Sequence, residues 1–144
     1  MFTASHPSVH ARAQGFAAAY ARVGVETSVN SASAHKLIEL LFNGFVESVV
    51  QARGAMRARQ FEAKGKAISK AARIVEDGLR GALNLRAGGK LAQDLNDLYG
   101  YVVVRLTLAN LRNDESILDE CHQLINPLRE AWISIGPLVE SGKI

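Results

Sequence analysis

Between Val9 and Asn126 the chain has no proline; its three prolines are Pro7, Pro127 and Pro137. Proline fixes φ and removes a backbone donor, so a long stretch without it permits long helices. Clusters of turn-forming residues then cut that stretch. They lie at Thr27 to Ser33, around Arg59 and Gln60, and at Arg86 to Lys90 with Gly88-Gly89. Two more are Asn113-Asp114 and Gly136-Pro137. Four helical patterns lie between them, with no strand alternation and no internal repeat. A chain rich in Ala and Leu and only 6% aromatic favours the same elements.

The first helix is expected to start at Ser33 as N-cap and to end near Arg57. Leu37, Leu41, Gly44 and Ala52 share one flank, and Ile38, Phe42, Phe45, Val49 and Met56 share the other. The second runs from about Gln60 to Leu85, with Phe61, Ile68, Ala72, Val75, Leu79 and Leu83 as its core stripe. Lys64, Lys66, Lys70, Arg73 and Arg80 point elsewhere, and Gly88 or Gly89 caps its end at positive φ. The third spans about Leu91 to Arg112. Leu95, Leu98, Val102, Leu106 and Ala109 form one stripe; Tyr101, Val104, Leu108 and Leu111 form another near the opposite side. The fourth begins at Asn113 or Asp114 and carries Ile117, Leu118, Cys121, Leu124, Ile125, Leu128, Trp132 and Ile135. A kink is expected at Pro127 and an end at Gly136-Pro137.

The expected fold is all-α: an antiparallel four-helix bundle with a short N-terminal capping segment. One domain spans residues 1–144, with a mobile N-terminal segment over 1–30 and the bundle over 33–136. In such a bundle each helix needs one buried stripe, about 100° wide. Helices one and three have more. The surplus has to be covered by a second copy, by the chain's own N-terminal segment, or by a partner peptide.

Little in the chain points to catalysis. There is no nucleophile elbow, phosphate loop or dinucleotide fingerprint, and no Glu-x-x-His pair for a di-iron site. His6 and His10 share an i, i+4 spacing without a third ligand. His35 and His122 read as surface or boundary residues. Cys121 sits in an apolar stripe as a small hydrophobe, and its helical neighbour His122 points about 100° away. No cofactor and no metal are expected. The net charge is +3, with basic residues scattered among acids rather than gathered into a nucleic-acid footprint. No apolar run is long enough to span a membrane. Met1 to Val9 lacks the pattern of a signal peptide, and a single cysteine suits a reducing compartment. The expectation is a cytoplasmic protein that binds through apolar grooves. Asn96, Arg105 and Asn110 would serve as polar anchors for a peptide in the helix-in-groove mode.

Six segments, in order and correctly spaced, carry a resemblance that covers Gly15 to Trp132. They are AYARV (Ala19 to Val23), SVNSASAHKLIELLFNG (Ser28 to Gly44), EAKGKAISKAARIV (Glu62 to Val75), GGKLAQDLNDLYGY (Gly88 to Tyr101), RLTLANLRND (Arg105 to Asp114) and LREAW (Leu128 to Trp132). Together they resemble the FliS family of flagellin export chaperones. The resemblance implies a non-enzymatic bundle that binds the disordered C-terminal segment of flagellin and blocks its premature polymerisation. It also implies delivery to the flagellar type III export apparatus, and docking to the export-gate cytoplasmic domain and to flagellar regulatory proteins. In it Tyr20, with Phe16 beside it, belongs to an N-terminal segment that fills part of the groove when flagellin is absent. The chain departs from the family at Ala34, where proline is frequent, at Val104 and Leu108, where charge is common, and at Pro127.

The expected flagellin-binding residues are Tyr20, then Leu37, Leu41 and Phe45 on helix one, and Leu98, Tyr101, Arg105 and Leu108 on helix three. The competing reading is a generic helical adaptor or dimerising structural protein, since an open apolar stripe also drives a weak homodimer. A small nucleic-acid binder is a third, motivated only by the pI of about 9.2.

Overall fold

The computed structural model describes residues 33–140. It contains α1 (Ala34–Arg57), α2 (Phe61–Arg73) continued by a π-helical segment (Ile74–Arg80), α3 (Gly89–Arg112), α4 (Glu115–Ser134) and the short α5 (Gly136–Glu140). Among the described residues there is no strand. The expected all-α four-helix bundle is what the chain forms. The N-terminal capping segment lies outside the described residues.

Four of the helix ends have a plain local cause. The Ser33 side chain accepts the Lys36 N–H at 3.1 Å, which satisfies one of the free donors of the first turn of α1. At the other end Arg59 stands at φ +57°. The Arg59 and Gln60 amides donate back to Met56 and Ala55 at 3.2 and 2.9 Å, closing a Schellman turn. Asn113 ends α3 in the left-handed region at φ +51°. Asp114 follows at once as the N-cap of α4, its carboxylate accepting the Ser116 amide and hydroxyl at 2.9 and 2.6 Å. Two adjacent residues thus end one helix and begin the next.

The seams run antiparallel. Along α1 and α4, His35 meets Trp132, Arg129 Nε donates to Asn43 Oδ1 at 2.7 Å, and Arg57 Nε donates to the Glu115 carboxylate at 2.9 Å. Along α2 and α3, Lys64 reaches Asn110, and Arg80 Nε donates to Asn96 Oδ1 at 2.8 Å. α1 packs on α2 and α4, and α3 packs on the same two, so α1 and α3 lie diagonally. α1 also touches the π segment and α5. Leu37, Leu41, Phe42, Phe45 and Val49 are buried on it. Its two apolar flanks are therefore both consumed by the interior, a role that one helix can fill only when several elements surround it.

Several local expectations are corrected. The second helix stops at Arg80, not near Leu85, and leaves Leu85 exposed. Gly89 does take a positive φ (+57°), but as the entry to α3 and not as the cap of α2. Gly136-Pro137 opens α5, because proline is tolerated in a first helical turn. Pro127 does lie inside α4 (Glu115–Ser134), as the pattern placed it. Phe61 is 46% exposed instead of in the core, and Lys64, expected outside, is 6% exposed. Lys64 Nζ donates to the Asn110 carbonyl at 2.9 Å and to Asn113 Oδ1, so a cation sits at the negative end of α3. His35, read as a boundary residue, is buried and stacked on Trp132 at 4.6 Å between ring centres. The two are tied reciprocally. His35 Nε2 faces the Trp132 carbonyl at 2.8 Å, and Trp132 Nε1 donates to the His35 carbonyl at 2.9 Å. A carbonyl only accepts, so Nε2 carries the imidazole proton.

Candidate functional site

α3 places its core residues Val102, Leu106 and Ala109 inward, all fully buried. At 100° per residue the stripe of Tyr101, Val104, Leu108 and Leu111 is centred about 150° away, within an arc of about 80°. That stripe faces outward. Tyr101 is 46% exposed, Val104 58% and Leu111 77%, while Leu108 is partly buried against the core edge. Of the two helices with surplus apolar surface, α3 alone leaves a continuous stripe open among the described residues.

The α4 side of this stripe is polar. Glu120 on α4 accepts the Tyr101 hydroxyl on one oxygen and Arg105 Nε on the other at 2.8 Å. The Arg105 guanidinium lies 6.0 Å from the centre of the Tyr101 ring. The Tyr101 hydroxyl, and then Arg105, hold the Glu120 carboxyl below its ordinary pKa. The same two bonds raise Tyr101 and Arg105 above theirs. One carboxylate faces one guanidinium, so the charges are matched and the cluster ties α3 to α4. It fixes the Tyr101 ring as a wall at the stripe's edge. Only Nε of Arg105 is used, so its two terminal nitrogens have no bond to the described residues and can donate to a carbonyl or carboxylate.

The structure brings together Leu98, Tyr101, Arg105 and Leu108: Leu98 and Leu108 are both half-buried at the margin of the core. Leu37, Leu41 and Phe45 lie elsewhere, 1%, 0% and 0% exposed on the diagonal helix. Tyr20 lies outside the described residues. Asn96 is engaged by Arg80, and the Asn110 carbonyl by Lys64. Glu120 was not singled out from the sequence. Its pairing crosses between helices, where no periodicity operates. The only available signal was an acid on α4 facing an arginine on α3 once the antiparallel register is known. Among the described residues no group of His, Cys, Asp and Glu gathers in a way that could hold a metal, and no helix is long and apolar enough to cross a membrane.

Fold and site together define an antiparallel four-helix bundle with a closed core and one open apolar flank beside a fixed ionic anchor. Residues 16–139 match the protein family described as Flagellar protein FliS. The chain is 44% identical to the flagellar secretion chaperone FliS of Salmonella typhimurium over 119 residues, 83% of this chain and 88% of that protein. It is also 44% identical to the flagellar secretion chaperone FliSB of Pseudomonas aeruginosa over 116 residues, 81% and 91% of the two chains. With the Escherichia coli chaperone FliS the identity is 42% over 114 residues, 79% and 84% of the two chains. The chain belongs to the FliS family.

Proposed function

We propose that this protein is a cytoplasmic export chaperone that holds the disordered C-terminal segment of flagellin along the outer flank of α3. The observation that carries this reading is the open stripe of Tyr101, Val104 and Leu111 on a family member whose remaining core is closed. A segment that is disordered alone loses chain entropy on binding, so it needs a long apolar track more than a deep pocket. The stripe offers about three helical turns of such a track. Leu98 and Leu108 line it, Tyr101 bounds it, and Arg105 supplies donors for the peptide backbone. Covering the segment prevents premature polymerisation and keeps it fit for delivery to the flagellar type III export apparatus. This role involves no catalytic step and no cofactor.

The resemblance also assigns Tyr20, with the N-terminal segment, to the groove when the client is absent, and the apolar stripes of helix one put Leu37, Leu41 and Phe45 among the expected client-binding residues. Because those three are buried, they act in this reading by shaping the bundle, or after a rearrangement of its N-terminal end. The export-gate cytoplasmic domain and flagellar regulatory proteins remain proposed partners on the same basis.

The test is titration of the full chain with a flagellin C-terminal peptide, followed by calorimetry and circular dichroism. A 1:1 complex with added helicity is expected. The double variant Val104→Glu/Leu111→Glu should weaken it at least about tenfold. Both sites are exposed, so stability should stay within about 0.5 kcal/mol. A wild-type chain that ignores the peptide but dimerises through the same stripe would replace this reading with the dimerising adaptor.

A further inference from the structure

The outer flank of α2 carries a second surface of different chemistry. Phe61 stands out from the helix start, its ring 5.4 Å from both the Arg59 guanidinium and the Lys64 ammonium. Beside it runs an open groove of about 660 Å³ between α2 and the C-terminal part of α3. The floor is small. Nothing lies within 4 Å of where a Cβ on Gly65 would be, and Ser69 follows one turn later. Lys66, Lys70 and Arg73 line the groove against a single acid, Glu62. Lys66 and Glu62 touch only loosely, at 3.4 Å, with side chains 78% and 85% exposed, an arrangement that water largely screens. Lys70 and Arg73 have no acidic partner among the described residues.

We propose that this groove is a docking site for an acidic, partly apolar peptide segment of a partner protein, separate from the α3 stripe. The cations lie at i, i+4 and i+7 of one helix and so form a row about 10 Å long. Carboxylates one helical turn apart on a partner match that spacing. An apolar side chain from the same segment fits over Gly65 against the face of Phe61. A second copy of this chain suits the surface poorly, because a twofold contact sets Lys70 and Arg73 against their own counterparts. Duplex nucleic acid suits it poorly too, since Glu62 before the basic row and Glu76 and Asp77 after it bracket the three cations with acids. The groove lies on the α2 side of α3, whereas Tyr101 and Arg105 face α4.

The probe is a fluorescein-labelled amphipathic peptide with glutamate at every fourth position and leucine alongside, and a twin with glutamine for glutamate. Anisotropy with the full chain should show binding of the acidic peptide only, weakening as salt rises from roughly 0.1 to 0.5 M. Lys70→Glu/Arg73→Glu should weaken it at least about tenfold while leaving the flagellin peptide bound as before. Gly65→Leu, which fills the floor without touching charge, should weaken it as well, with helicity checked by circular dichroism. Equal binding of the glutamine twin, an unchanged affinity in both variants, or displacement of the peptide by duplex DNA would each overturn the proposal.

Discussion

Arg59 is held at φ +57° by the Schellman turn that ends α1. For a residue with a Cβ this conformation costs about 1–2 kcal/mol. Its stacking on exposed Phe61 and the extra chain entropy of glycine each offset only about 0.5 kcal/mol of that. Arg59→Gly should therefore stabilise the fold slightly, by about 0.5 kcal/mol, read as a higher urea midpoint. A lower midpoint would mean that the turn is not strained. Lys64 poses the opposite problem. Lys64→Met keeps the buried stem but leaves the Asn110 carbonyl without its charged donor, and a loss of about 1–3 kcal/mol is expected in the same measurement. The turn at Arg59 was legible in the sequence, but the burial of Lys64 was not. The helical period assigns Lys64 to the outside because lysine is polar, and the period knows nothing of the carbonyl at the end of a neighbouring helix. Phe61 was assigned inward by the same rule, yet it sits too near the start of α2 to reach the interior.

At the level of the helices, the caps were readable because their signals are local. Ser33, Asn113 and Asp114 act on amides or φ angles within a few residues. The early end of the second helix was not, since Leu83 continues the apolar period past Arg80, where the helix ends. The π segment is likewise set by packing. Within it Gly78 lies against buried Leu41, and a Cβ there would come to 2.9 Å from Leu41 Cδ2. Gly65, on the preceding turns, faces open space. The same substitution should thus have opposite signs at the two sites. Gly65→Ala should raise stability by about 0.5–1 kcal/mol through helix propensity. Gly78→Ala should lower it by about 1 kcal/mol, because overpacking the core outweighs that gain. Thermal midpoints of the two variants, measured side by side, decide the matter.

Across the whole molecule, the fold class and the existence of one uncovered apolar flank were both legible. Which flank stayed open was not. Periodicity counts apolar faces but does not say which helix has the most neighbours, and α1 turned out to be the one enclosed. One helix cap and two ties between helices also set the acid limit of the fold. The carboxyls of Asp114, Glu115 and Glu120 are held below their ordinary values of 3.8, 4.5 and 4.5, chiefly by Ser116, by Arg57, and by Tyr101 with Arg105. The unfolded chain then binds protons more readily, so stability is present above those ordinary values and is lost as pH falls through the depressed ones. Urea midpoints should be level near pH 6 and decline below about pH 4.5. Glu120→Gln should make that decline shallower; an identical slope would show that the Tyr101–Glu120–Arg105 cluster does not contribute.

Trp132 is the chain's single tryptophan, and its indole lies flat on His35, two residues from where the described structure begins. The molecule therefore contains one indole fluorophore, which long-wavelength excitation separates from its three tyrosines, at the junction with residues 1–32. Any event that tugs on that junction alters the surroundings of a lone emitter, so its spectrum can report the event in unlabelled protein. Loss of the stack in His35→Ala supplies the reference signal for the unclasped state.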